Sequence, residues 1–202
     1  MSKINIDSWF LGIDLGTGSC KTVVIDEQMR VLGLGAAEYP SNSVQERWQE
    51  QEPESVLAGM IASVQNALEN AGDLPGECAG LSIGGALHSL MAVDSSGAPI
   101  TGILTWADGR AIQQGKEVQH TPLARDLYQQ TGCPAHGMYP LYKICWLREN
   151  QPHIFEKAAK FLSAKEYVTY RLTHEYLVDF SLAAGSGLLD VQDLNWNTTA
   201  LN

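Results

Sequence analysis

An acid, two glycines, two hydroxyls and a lysine fall within one short stretch, Asp14-Leu15-Gly16-Thr17-Gly18-Ser19-Cys20-Lys21. A Gly/Thr/Ser-rich turn exposes successive backbone N–H groups, and such a concave row of donors attracts anions. Glycine lets the backbone approach a phosphate closely. Thr17 and Ser19 add hydroxyl donors and Lys21 a positive charge. Asp14 supplies a hard oxygen ligand suited to hydrated Mg²⁺. Gly16, Thr17, Gly18, Ser19 and Lys21 are therefore candidates for holding the phosphates of a metal–triphosphate, with Asp14 at the metal. The plainer alternative is a tight hairpin whose turn Asp14 caps. The stretch is neither G-x-x-x-x-G-K-[ST] nor G-x-G-x-x-G, and an apolar run follows it where a dinucleotide site would begin a helix.

Those residues need strands on both sides. "WFLGID" and "KTVVID" read as two strands, "EQMR" as a turn and "VLGLGAAEYP" as a third strand, an antiparallel meander. "PESVLAGMIASVQNALENAG" reads as a helix, with Pro53 in its first turn, Gly72 at its end, and Val56, Leu57, Met60, Ile61, Val64 and Leu68 on one face. "CAGLSIGG" follows as a short buried strand, parallel to a neighbour because a helix crosses back to it. "SLMAVD" and "APITGILTW" form a strand pair around a Gly-containing turn. Beyond Gly109 the pattern is mainly helical, in segments divided by Pro122, Pro134, Pro140 and Pro152, with "KFLS" as one more strand and "LVDFSLAAGSGLLDV" as strand–turn–strand.

Composition narrows the function. The chain has 202 residues, 45% hydrophobic, with a formal net charge of -10. That is a globular composition, and without a Lys/Arg block it carries no nucleic-acid footprint. Cys20, Cys78, Cys133 and Cys145 form no C-x-x-C pair and read as reduced thiols in a cytoplasmic protein. "MSKINIDSWF" has no signal-peptide core, and no apolar run reaches the roughly 18 residues of a membrane span.

"GIDLGTGSCK", Gly12 to Lys21, resembles the first phosphate loop of the ATPase superfamily of actin, hexokinases and Hsp70 chaperones, whose fold also opens β-β-β-α-β. "MYPLYKICWLREN", Met138 to Asn150, resembles the N-terminal signature of the FGGY carbohydrate kinases, with Pro140, Lys143, Ile144, Trp146, Glu149 and Asn150 in the signature places. An amphipathic helix with Trp146 in the core and Lys143 in solvent is the plain reading of the same stretch. The resemblance implies an RNase H-like (actin-like) α/β domain with a mixed five-stranded sheet and flanking helices. It makes residues 1–202 an incomplete N-terminal FGGY domain whose C-terminal partner domain is absent.

"IGGALHSLMAVD" stands where these kinases carry a loop that touches the sugar, and "LTWADGRA" is similar to their W-x-D-x-R segment. The resemblance therefore puts Leu87, His88, Trp106, Asp108, Arg110 and Met138 at the substrate. His88 can donate or accept, Asp108 and Arg110 can bind hydroxyls, Arg110 can also bind a carboxylate, and Trp106 offers a flat apolar face. The plainer alternatives are a structural histidine and an internal Asp108–Arg110 ion pair. "ALHSLMAVD", "TWADGRA", "HGMYPL" and "VDFSLAAGSGLLDV" are more similar to gluconokinases than to xylulokinases. The implied activity is transfer of the ATP γ-phosphoryl to a sugar or sugar-acid hydroxyl, with ATP and Mg²⁺ as cofactors and no nucleic-acid or membrane partner. The resemblance leaves room for a homodimer.

The family's catalytic base is expected beyond Asn202, so the chain alone should be inactive. Were it to turn over, Asp94, Asp108 and Asp179 are the first aspartates to test. A non-catalytic actin-like ATP-binding module is the competing class, and "HSLMAVD" with "TWADGRA" argues against it, since such a module needs no sugar loop there.

Overall fold

The structure, a computed structural model, describes residues 8–74 and 76–201. The elements run β1 (Ser8–Leu15), β2 (Ser19–Asp26), β3 (Val31–Glu38), β4 (Asn42–Gln45), β5 (Trp48–Gln51), α1 (Pro53–Ala71) and β6 (Glu77–Gly85). Then come β7 (Met91–Val93), β8 (Ile103–Leu104), α2 (Ile112–Gln119), α3 (Pro122–Thr131), α4 (Pro140–Asn150) and α5 (Pro152–Lys157). The last are β9 (Lys160–Leu162), α6 (Ala164–Thr173), α7 (Phe180–Ala184), β10 (Leu189–Asp190), β11 (Asn195–Trp196) and α8 (Thr198–Leu201). The chain divides into two compact units. The first holds the residues up to Pro40 with Glu54–Ala86, and the second holds Ser41–Pro53 with the residues from Leu87 on.

The first unit is a mixed sheet in the order β3-β2-β1-β6, with β1 antiparallel to β2 and parallel to β6. Side chains alternate along β1 and β2, so Leu11, Ile13, Leu15, Cys20, Thr22 and Val24 are buried on one face while Asp14 and Lys21 project from the other. α1 packs closely because β3 presents glycines: a Cβ on Gly33 or Gly35 would lie 2.2 or 2.1 Å from the carbonyls of Ala67 and Ser63. Asn66 and Asn70 donate to the Ala36 and Leu34 carbonyls along the same contact.

That close approach moves the buried stripe of α1 from the one expected. Ser63 and Ala67 are fully buried, whereas Ile61 is 43% exposed. The main sheet has four strands among the described residues instead of five, and β6 is mostly exposed instead of buried, with Leu81 55% accessible. β6 is the edge strand here, so an apolar run that reads as central lacks a neighbour on one side.

The second unit contains the antiparallel sheet β4-β5-β8, the pair β7-β9 and the pair β10-β11. Its helices surround a core of Leu90, Ala111, Leu127, Leu141, Tyr142, Trp146 and Leu147. The expected pairing of "SLMAVD" with "APITGILTW" survives only as the bridges Leu90–Leu104 and Val93–Pro99, because β7 ladders with β9 and β8 with β5. The expected strand at "LVDFSL" is the short helix α7. Asp179 caps it by accepting the Ser181 and Leu182 N–H groups, and that local bond outweighs the apolar alternation.

Candidate active site

In the first unit, residues 16–18 join β1 to β2, with Asp14 opposite Lys21 and Leu15 opposite Cys20. The Gly16 N–H donates to the Ser19 carbonyl at 3.0 Å, and a Cβ on Gly16 would meet that same oxygen at 3.0 Å. Gly16 is therefore explained by the tightness of the turn, and its N–H is not among the donors left for an anion. Gly18 has no such packing reason: a Cβ there would meet nothing within 4 Å. The turn is fastened from behind by Tyr39, whose N–H donates to the Gly18 carbonyl and whose hydroxyl donates to the Gly16 carbonyl at 2.7 Å. Burial pushes the Tyr39 hydroxyl pKa up, so it remains a donor.

Asp14 and Lys21 are exposed and line an open cavity of about 800 Å³ with Gly12, Gly35, Asn66 and Ser82. That volume is in the range of small-molecule sites. Among the described residues no group of three or more His, Cys, Asp or Glu could hold a metal. A single exposed carboxylate fits Mg²⁺, which keeps several waters and takes one or two carboxylates plus substrate phosphates. The residues present thus fit a magnesium nucleotide, with Asp14 as the candidate for the metal and Thr17, Gly18, Ser19 and Lys21, in and beside the turn, as the candidates for the phosphates.

In the second unit the candidate residues separate into two sets. Asp108 and Arg110 are committed to one another. The Arg110 Nε donates to Asp108 Oδ1 at 2.8 Å and Nη2 to Asp108 Oδ2 at 2.9 Å, while Nη2 also donates to Glu50. Asp108 further accepts the Gln49 N–H at 2.8 Å. The Arg110 and Asp108 side chains are 3% and 0% exposed. The guanidinium lies 4.0 Å from the centroid of Trp48 and 5.1 Å from that of Trp146, and the two indoles meet edge to face. This pair binds the β5 and β8 ends together, with the Asp108 carboxylate taken up by Arg110 and the Gln49 N–H.

Leu87, His88, Trp106 and Met138 are the accessible set. Trp106 is 52% exposed, Leu87 is exposed, and His88 and Met138 are half-buried. His88 Nδ1 lies 2.8 Å from the Gly185 carbonyl. A carbonyl only accepts, so Nδ1 carries the proton and Nε2 presents a lone pair. Burial depresses the His88 pKa, and the Lys143 charge adds to it. The Tyr139 ring packs edge to face on the imidazole with centroids 4.8 Å apart. The result is a neutral imidazole fixed as an acceptor, suited to a ligand hydroxyl.

One contributor escaped the sequence reading, and a second, Lys143, was named there only as a signature position. Gly185, which sets the His88 tautomer, lies ninety-seven residues downstream and has no local signal. Lys143 is fully buried instead of solvated. Its signal was present: it stands on the apolar stripe of α4, three and four residues before Trp146 and Leu147.

Residues 9–202 match the FGGY family of carbohydrate kinases, N-terminal domain. The chain belongs to that family. FGGY relatives include the gluconokinase of Bacillus subtilis, 32% identical over 194 residues that are 96% of this chain and 37% of that protein. The xylulose kinase of Lactococcus lactis is 31% identical over 190 residues, 94% of this chain and 38% of that protein. The chain thus spans under two-fifths of the length of these relatives. Among solved FGGY structures, the gluconate kinase from Lactobacillus acidophilus superposes with a TM-score of 0.89 at 28% identity, covering 96% of this chain and 39% of that one. The actin-like α/β fold expected from the sequence is therefore the fold observed. No helix among the described residues is long and apolar enough to cross a membrane.

Proposed function

We propose that this chain is the sugar-recognising N-terminal part of a cytoplasmic ATP-dependent FGGY kinase that phosphorylates a sugar acid of the gluconate type. The observation that carries the reading is the imidazole of His88, neutral and held by Gly185 with Nε2 as acceptor, in the same unit as the exposed face of Trp106. A fixed acceptor discriminates for a hydroxyl, because a ligand without one leaves it unpaired. Leu87 and Met138 supply apolar contact, and Asp108 and Arg110 act as struts. The segments "ALHSLMAVD", "TWADGRA" and "HGMYPL" favour gluconate, and a xylulose kinase relative at 31% identity beside a gluconokinase at 32% makes xylulose the second reading.

In the first unit Thr17, Gly18, Ser19 and Lys21 hold the phosphates and Asp14 orients the magnesium. Magnesium-ATP supplies the transferred phosphoryl group. Asp94, Asp108 and Asp179 are poor candidates for taking the hydroxyl proton. Asp94 accepts from Ser96 and Ala98, Asp108 is paired as above, and Asp179 caps α7 and pairs with Lys165. The reading therefore assigns the base to a later part of the kinase. Calorimetric titration of the chain tests it: D-gluconate should bind more tightly than D-xylulose or glycerol, and His88→Ala should weaken gluconate by about 1–3 kcal/mol. Preference for xylulose, or indifference to His88→Ala, would sink the gluconate assignment or the His88 role respectively.

A further inference from the structure

Lys143 has a role in neither the phosphate turn nor the proposed sugar contacts. Its side chain is fully buried on α4. Nζ donates to the His88 carbonyl at 2.6 Å and to the Thr105 carbonyl at 2.7 Å. Among the described residues no carboxylate lies within ion-pairing distance of it. A buried ammonium without a paired anion is costly, and a methionine would fill the same space without that cost. What methionine cannot do is hold two carbonyls.

The two carbonyls are particular ones. One belongs to His88, whose φ of 65° is in the left-handed region that few non-glycine residues occupy. The other belongs to Thr105, the residue before Trp106, at the end of β8. One ammonium thus ties the chain that carries the fixed imidazole to the chain that carries the exposed indole. The helix bearing it is anchored in the core by Leu141, Trp146 and Leu147. Packing alone would place α4 without asking for any charge.

We propose that Lys143 is a positioning residue, its ammonium clamping the His88 and Trp106 loops so that the imidazole and the indole are held in their ligand-binding geometry. The proposal rests on the sugar-site reading above. It treats the buried lysine of the α4 segment as a device of that site instead of a surface charge. Burial brings the Lys143 pKa down from 10.5 to about 7, with Asp108 opposing the shift. The clamp does not depend on the charge alone, since a neutral amine still keeps two N–H donors.

The test uses the 202-residue chain labelled with ¹⁵N. In the unmodified chain the Lys143 Nζ–H signals should exchange slowly with water and move when D-gluconate is added. In Lys143→Met, His88 should lose its single Nδ1–H tautomer and give averaged ring-nitrogen shifts, and gluconate affinity should fall more than tenfold while the fold is retained. A purely structural lysine would change the melting temperature and leave the His88 tautomer intact, which would overturn the proposal. If Lys143→Met does not fold, the unmodified chain decides: Nζ–H signals that exchange rapidly, or that stay unmoved while calorimetry shows gluconate bound, refute the clamp. If the unmodified chain ignores gluconate, the function reading fails, and the His88 tautomer in Lys143→Met still decides the clamp.

Discussion

The two candidate sites are built on opposite principles. The turn between β1 and β2 keeps its charges in water: Asp14 and Lys21 are exposed, and the buried group that fastens it is a neutral phenol. The loops after β6 and β8 do the reverse. Their charges, Lys143, Asp108 and Arg110, are buried and spent on fixed partners, and the accessible groups are a neutral imidazole and an indole. The first arrangement suits a ligand that brings its own dense charge and metal, because exposed groups can reorganise around it. The second suits the hydroxyls of a sugar or sugar acid, for which direction matters more than field strength. The contrast predicts that mutations in the second unit will appear first as lost stability or geometry, and mutations at the turn as lost function.

Arg110→Ala should be the most damaging. It removes the partner of Asp108, whose side chain is fully buried, and takes the guanidinium from between Trp48 and Trp146. Breaking a buried pair from one side costs about 3–5 kcal/mol, because the remaining charge is uncompensated. Urea unfolding should register that loss. A change below about 1 kcal/mol would place the pair among weak surface bridges and undo the contrast.

Lys143 gives a smaller effect with a defined sign. Its pKa falls from 10.5 to about 7 in the folded chain, so between those values the unfolded state binds more protons. Stability then rises with pH across the window, and the cost of burying the ammonium is present in full below it. Relative to Lys143→Met, the unmodified chain should gain about 3 kcal/mol between about pH 7 and about pH 9.5, a linkage that comes from the pKa shift of this one group. Parallel pH profiles for the two proteins would mean that Lys143 is not desolvated.

How far the sequence disclosed all this follows the same division. The meander, α1 and its Gly72 terminus were legible because each is written locally: alternation, a 3.6-residue stripe, and a glycine that indeed takes φ of 68°. The turn between β1 and β2 was legible for the same reason, since its residues are contiguous. Ile61 misled because the glycines of β3 let Ser63 and Ala67 take the closest contact, and nothing within α1 announces that. The α7 segment misled because one Asp179 carboxylate outweighs a strand-like pattern. At the loops after β6 and β8 the residue types were visible but their duties were not. Arg110 and His88 both read as ligand contacts. Only the distant partners Glu50, Trp48 and Gly185 separate a strut from an acceptor.

The turn itself supplies the smallest effect in free energy and the one most specific to function. Asp14 is exposed on the open face of β1, so Asp14→Asn should leave stability within about 0.5 kcal/mol, as surface substitutions usually do. The amide keeps the size and one oxygen of the carboxylate but loses its charge. Mg²⁺ depends on that charge because it takes few protein ligands and keeps most of its waters. In the kinase polypeptide that carries this segment, Asp14→Asn should lower kcat more than tenfold, the scale on which a lost electrostatic contact to developing charge is felt. Restoration of turnover by raised Mg²⁺ would show that the loss lies in holding the ion. Unchanged turnover in a stably folded Asp14→Asn enzyme would return the segment to a plain hairpin, its glycines serving only the Gly16–Ser19 turn and the Tyr39 fastening.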